Sequence, residues 1–103
     1  MGEVYLINEL NTNNYKIGAT KKEVNKRKYN LQTGNSNELT TITSFKTDEP
    51  FKLEKMVHRH FRKHNIHNEW FQLTEELTTT FLDTCKYYND IIILLKENNP
   101  FYK

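Results

Sequence analysis

The sequence predicts an α+β fold in which a small three-stranded antiparallel sheet is flanked by helices, with an additional C-terminal helix. Two observations carry this prediction. The first half of the chain holds three short segments of strand-like composition separated by turn residues. Three longer segments space their apolar residues as helices do, and two of them start at recognisable helix-initiating residues. The 103 residues match the size of a single domain.

The three predicted strands are Glu3–Asn8, Tyr15–Gly18 and Leu39–Phe45. The first two flank a segment rich in asparagine and threonine, so they are expected to form a hairpin with a long loop. The third strand is rich in threonine, which favours extended backbone. A further aromatic segment, Glu69–Leu73, is expected to be extended as well.

The first predicted helix runs between Thr20 and Gly34, from a capping-box sequence to a glycine stop. Arg27 falls on the same side of this helix as Val24 and Leu31. A guanidinium on an apolar face is costly to bury unless an anionic group meets it. Arg27 is therefore a candidate functional residue.

The second predicted helix opens at Asp48-Glu49-Pro50, where acidic residues and a proline suit the first turn. Glu54 lies at the edge of its apolar stripe, and His58 follows one turn later. The stripe itself consists of Leu53, Met56, Val57, His60 and Phe61.

The third predicted helix covers Glu75 to Lys96, although the β-branched run Ile91–Ile93 also fits a strand. Its expected buried side consists of Leu77, Phe81, Leu82, Cys85, Tyr88, Ile92 and Leu95.

Composition narrows the classes of function. No apolar run is long enough to span a membrane, and a single cysteine excludes an internal disulfide. With no secretory signal pattern at Met1, we expect an intracellular protein: cytoplasmic, or nuclear in a host cell if it is viral.

The net charge is only +2, but residues 1–73 hold 12 Lys/Arg against 8 Asp/Glu. An anionic partner is one interpretation, and simple solvation of lysine-rich helix faces is the other.

Five short motifs occur in the same order as the motifs of the GIY-YIG nuclease superfamily. Together they resemble the short branch of that superfamily found in phages and large DNA viruses. The first three hold a tyrosine, a strand-end glycine and a helical arginine; the fourth holds a glutamate and the fifth a tryptophan. The motifs are Glu3-Val4-Tyr5, Lys16-Ile17-Gly18, Lys26-Arg27, the segment 53–58 around Glu54, and Glu69-Trp70-Phe71-Gln72-Leu73.

The resemblance implies a nuclease domain over residues 1–74, with residues 75–103 as a helical extension packed on the same domain. It implies hydrolysis of DNA phosphodiester bonds with one divalent metal ion, Mg²⁺ or Mn²⁺. Glu54 would bind the metal, and Arg27 would bind the phosphate, which suits a planar guanidinium. Tyr5 would position or deprotonate the attacking water. Gly18 would let the backbone approach the helix that carries Arg27.

Two departures from the family pattern concern proton transfer. Lys16 occupies the position of the second motif's tyrosine, where it could bind phosphate or favour the phenolate of Tyr5. No histidine follows Arg27, so His58 is a candidate for the missing acid/base group. The expected nucleic-acid-binding residues are Lys21, Lys22, Lys26, Lys28 and Arg59.

Alternatives stay open at this point. Tyr5 is also a plausible core aromatic, and Arg27 could form a structural ion pair with Glu54. The domain could be a catalytically inactive nucleic-acid-binding module of the same fold, or a protein-interaction domain that uses a helix. We expect a monomer, or a weak homodimer formed through the helix at residues 75–96. The expected partner is DNA, and no binding to a membrane is expected.

Overall fold

A computed structural model describes residues 1–21 and 38–98, which contain five strands and three α-helices. The helix predicted between Thr20 and Gly34 lies outside these ranges from residue 22 onward. The site predictions for Lys22, Lys26, Arg27 and Lys28 lie outside them too. The elements are β1 (Gly2–Glu9), β2 (Asn14–Thr20), β3 (Leu39–Thr47), α1 (Pro50–His60), β4 (Asn65–His67), β5 (Trp70–Gln72), α2 (Glu75–Thr79) and α3 (Phe81–Asn98), with a short 3-10 turn at Arg62–His64.

The sheet is antiparallel throughout, with the strand order β3-β1-β2-β5-β4 in the described residues. The prediction of three strands was therefore wrong, because β4 and β5 add two more. Each of the added strands has only three residues, too few for an alternating apolar pattern to be visible. They are joined through Asn68, whose positive φ of 51° suits a tight turn.

The β1–β2 hairpin fixes which residues face each other across the sheet. Tyr5 lies directly opposite Gly18, and Leu6 lies opposite Ile17. The connecting loop turns through Asn11, at a φ of 65°. Neighbouring residues point to opposite faces of a strand, so Tyr5 and Gly18 share one face while Leu6 and Ile17 share the other.

The face of the sheet that carries Leu6 packs against the helices. α1 begins at Pro50, which needs no hydrogen bond from its nitrogen at this position. Cys85 of α3 belongs to the same cluster as β1 and α1, so α3 packs on the core of the sheet. The buried residues of this cluster are Val4, Leu6, Ile17, Leu53, Val57, Phe61, Phe71, Leu73, Phe81, Cys85 and Ile92.

His60 was expected in the apolar stripe of α1, but it is exposed and lies beside Tyr88 of α3, with 3.1 Å between Nδ1 and the phenol oxygen. The remaining members of the stripe are at least partly buried. A ring with two polar nitrogens tolerates this edge position better than the centre of the core.

The C-terminal helix was predicted as one element and is two. Thr74 caps α2 by accepting a hydrogen bond from the Leu77 amide. The hydroxyls of Thr78, Thr79 and Thr80 then donate to carbonyls three residues earlier, and the helix breaks at Thr80. Such local bonds compete with the helical ladder.

α3 continues through the isoleucine run, so the strand alternative for Ile91–Ile93 is wrong. Leu82 and Leu95, expected to be buried, are exposed on it. None of the helices within residues 1–21 and 38–98 has the length and apolar character needed to cross a bilayer. The weak homodimer through residues 75–96 stays a prediction.

Candidate metal centre

The site forms where strand pairing stops along β2. β5 pairs with β2 only as far as Lys16, which lies opposite Trp70. Beyond that point the Ile17 amide donates to the Glu69 carbonyl at 3.0 Å, and the Ile17 carbonyl accepts from a side chain, His58, at 2.7 Å. The end of a short strand therefore brings side chains from α1 and from the β4–β5 turn to one edge of the sheet.

His58 is held from two sides. Its Nε2–H donates to the Ile17 carbonyl, which fixes the tautomer because a carbonyl oxygen cannot donate. Its ring also meets the Phe71 ring edge-on, with 5.0 Å between the centroids. Glu54 lies one helical turn earlier on α1, and its Oε2 is 3.8 Å from Nε2 of His58.

Glu69 joins these two residues from the other side. It accepts a hydrogen bond from Lys16 Nζ at 2.9 Å and shares a hydrogen bond with Glu54. Burial raises the pKa of Glu69, but the hydrogen bond with Glu54 and the Lys16 ammonium together outweigh this. The pKa of Glu69 therefore lies below its ordinary value.

Glu54, His58 and Glu69 fit a divalent cation. One ligand atom from each lies within 4.8 Å of the others, and all three side chains are partly buried. Three ligand atoms at about 2.1 Å from one ion can all be separated by at most roughly 3.6 Å, so the side chains would have to move closer together by about 1 Å. Two carboxylates and an imidazole form a donor set that first-row divalent metals accept.

Lys16 and Tyr5 share the opposite face of the sheet from the helical core. Lys16 is nearly buried, with its ammonium 5.9 Å from the centre of the Trp70 ring. Tyr5 is fully buried beside Ile7 and Leu39. As a cross-strand diagonal pair on one face, Tyr5 and Lys16 are close neighbours.

Gly18 makes room for the Tyr5 ring. A Cβ at this position would overlap the Tyr5 hydroxyl and lie 2.5 Å from its Cζ. The suggested approach of Gly18 to the Arg27 helix concerns residues outside the described ranges, whereas its fit to Tyr5 is visible within them.

The structure brings together three of the predicted site residues, Lys16, Glu54 and His58. Glu69 was not predicted as a site residue, although it belongs to the tryptophan segment of the sequence. Its proximity to Lys16 depends on β5 pairing across 53 residues of chain. The signal that could have found it is an acidic residue directly before an aromatic strand.

A cationic cleft of about 260 Å³ adjoins His58. Arg59, one of the expected nucleic-acid-binding residues, is exposed along it, and Arg62 adds a second guanidinium. Lys21, also expected to bind nucleic acid, is exposed just after β2. The cleft is lined by His58, Arg59, Arg62, Asn65, Asn68 and Phe71.

Comparison with known families gives a match to the T5orf172 domain over residues 2–86. The chain belongs to this family. T5orf172 domains occur in phage and viral proteins and are related to nuclease-type domains. The match includes the five strands seen in residues 1–21 and 38–98, and all three residues of the Glu54, His58 and Glu69 cluster.

A curated relative is an uncharacterized protein of Acanthamoeba polyphaga mimivirus, 29% identical over 102 residues. The alignment covers 99% of this chain but only 15% of that relative's length. The chain is therefore similar to one segment of a much longer viral protein. No solved structure matches the chain significantly.

Proposed function

We propose that this domain is a GIY-YIG-type endonuclease that hydrolyses DNA phosphodiester bonds with one divalent metal ion, Mg²⁺ or Mn²⁺. The observation that carries the proposal is the donor set of Glu54, His58 and Glu69, with the Lys16 ammonium beside it. The relation of T5orf172 domains to nuclease-type domains supports it independently. A binding module has no evident need for this combination of ligands and cation.

A divalent ion held through Glu54 would supply electrostatic stabilisation to the phosphate that gains charge during hydrolysis. The chain's own residues would hold the substrate. Arg59, exposed in the cleft next to His58, would contact a phosphate on one side of the scissile bond. Arg27 keeps its proposed role at the phosphate. Tyr5 would act on the attacking water only if its ring leaves the buried position beside Gly18.

His58 has a proposed acid/base role that depends on which nitrogen is available. Its Nε2 proton points to the Ile17 carbonyl, so Nδ1 holds the one free lone pair in this arrangement and could accept a proton only while it does not bind the metal. Single-turnover cleavage by a His58→Ala variant, at a metal concentration that saturates the variant, isolates this role. A rate equal to that of the parent protein removes His58 from proton transfer.

The test of the nuclease proposal is cleavage of branched, nicked and duplex DNA in Mg²⁺, in Mn²⁺ and in chelator. Glu54→Gln removes a charged ligand with little change of shape, and we expect it to lower the single-turnover rate by about 100-fold or more. The matched control is Glu76→Gln, which changes an exposed glutamate of α2. Binding without cleavage across all substrates and metals would contradict the proposal.

A second candidate is the catalytically inactive nucleic-acid-binding module. The observation that favours it is the burial of Tyr5, whose hydroxyl lies against Gly18 and away from solvent. Such a module would use the arginine cleft and need no metal. Equal DNA affinity in Mg²⁺ and in chelator, lowered by Arg59→Gln and untouched by Glu54→Gln, would identify it.

A further inference from the structure

An ion pair between Lys16 and Glu69 joins strand β2 of the sheet to the metal-ligand cluster. The Lys16 side chain is 11% exposed and its Nζ lies 2.9 Å from Glu69 Oε2. Ion pairs at the surface contribute little, but a nearly buried ammonium depends on its partner. An anion close to the Lys16 ammonium therefore stabilises its nearly buried position.

Glu69 lies between a cation and the other two candidate ligands. On one side it accepts a hydrogen bond from Lys16, and on the other its carboxylate lies within 4.8 Å of ligand atoms of Glu54 and His58. The Glu54 and Glu69 carboxyl groups therefore lie close together, an arrangement that a cation between them would stabilise.

We propose that Glu69 is a second carboxylate ligand of the divalent ion, and that Lys16 is a built-in competitor which the ion displaces from Glu69. This inference rests on the proposed metal site, and it extends the single family ligand, Glu54, to a set of two carboxylates and one imidazole. A displaced Lys16 ammonium needs a new anion, and a DNA phosphate is the anion that the proposed function supplies.

Two consequences follow from the donor set and from the displacement. Mn²⁺ binds more tightly than Mg²⁺, because Mn²⁺ accepts an imidazole nitrogen more readily while Mg²⁺ keeps water and oxygen ligands. Metal and DNA also bind cooperatively, because the metal releases Lys16 for a phosphate. By linkage, DNA tightens metal binding by the same factor as metal tightens DNA binding.

The experiment is titration of the full chain with Mn²⁺ in the absence of DNA, followed by calorimetry and by the loss of the free-ion electron paramagnetic resonance signal. We expect Glu69→Gln to weaken Mn²⁺ binding by about 10- to 100-fold. Lys16→Met removes the competitor and tightens Mn²⁺ binding, by about tenfold. In the Lys16→Met/Glu69→Gln double variant this gain disappears, because the residue for which Lys16 competed is gone.

Lys55→Met is the matched control, since Lys55 is an exposed lysine adjacent to Glu54 on α1. It also removes one positive charge, but solvent screens that charge, so we expect a change in Mn²⁺ affinity below about twofold. Circular dichroism of each variant shows that a weaker affinity is not a loss of fold. If Lys55→Met tightens binding as much as Lys16→Met, the effect is general electrostatics and the competition is refuted.

The outcomes separate this inference from the nuclease proposal. Unchanged Mn²⁺ affinity in Glu69→Gln, or no Mn²⁺ binding by the parent protein, overturns the inference even if DNA is cleaved. Conversely, Mn²⁺ binding that weakens in Glu69→Gln and tightens in Lys16→Met supports the inference even if no DNA substrate is cut.

Discussion

The two faces of the sheet are built from the same strands but hold different kinds of residue. The face against the helices buries apolar side chains of β1 and β2, with Val4, Leu6 and Ile17 all at zero exposure. The opposite face also buries its side chains, yet it includes the phenol of Tyr5 and the ammonium of Lys16. Burial alone therefore does not distinguish a position that stabilises the fold from a position that serves the site. The presence of a buried polar atom makes that distinction.

This difference has an energetic meaning. Apolar groups on the helical face contribute to folding through area removed from water, without regard to direction. Polar groups on the opposite face depend on particular partners, such as Glu69 for Lys16. We expect substitutions on the first face to change stability most, and substitutions on the second face to change the site most.

The largest expected effect on stability belongs to the helical face. Leu6→Ala opens a cavity in the main core, and we expect it to lower the free energy of unfolding by about 2–5 kcal/mol. Urea denaturation followed by circular dichroism measures this. The control is Ile42→Ala on β3, where the side chain is 49% exposed and a change within about 0.5 kcal/mol is expected. An equal cost at both positions would break the comparison.

A smaller effect is expected from Gly18→Ala on the opposite face. The new methyl group meets the Tyr5 ring, so overpacking should cost about 1–3 kcal/mol of unfolding free energy and displace the phenol. In a Tyr5→Leu background the obstacle is gone, and the same substitution should cost clearly less. Additive costs in this double-mutant cycle would show that Gly18 and Tyr5 do not depend on each other.

The smallest effect concerns Cys85, on the helical face. Burial raises the pKa of its thiol to about 12, so the reactive thiolate is scarce in the folded protein at pH 8. We expect labelling by a disulfide reagent to be more than about tenfold slower in the native protein than in urea. Labelling should accelerate as the pH rises toward 12. Rapid native labelling at pH 8 would mean that α3 opens locally.

The sequence predicted the hairpin, β3 and α1 well, because each has a local signal. Turn residues bound the strands, and Pro50 marks the first turn of α1. β4 was not predicted, because three residues are too few to show an alternating pattern. The segment of β5 was expected to be extended, as it is, but it was not assigned to the sheet because its pairing with β2 has no local signal. The break of the helix at Thr80 was not predicted, because the threonine hydroxyls that produce it leave the apolar pattern of the helix unchanged.

The candidate site likewise contains one pair of residues whose proximity has a local signal in the sequence and one pair whose proximity has none. Glu54 and His58 are four residues apart on one helix, so their proximity follows from helical geometry. Lys16 and Glu69 meet only because β5 pairs with β2, and no local pattern encodes that pairing. The resemblance to a nuclease superfamily supplied the glutamate and the lysine, but it did not indicate the second carboxylate.

The short pairing of β2 with β5 also bears on when the site exists during synthesis. Lys16 and Glu69 are 53 residues apart, and Glu69 reaches the cluster only when its strand docks on β2. Contacts between such distant residues form late in folding, because a long loop must close first. A chain still emerging from the ribosome would therefore carry the ligands Glu54 and His58 without the third ligand, Glu69, in place. Any activity that needs Glu69 would begin only after the last strand of the sheet has been made.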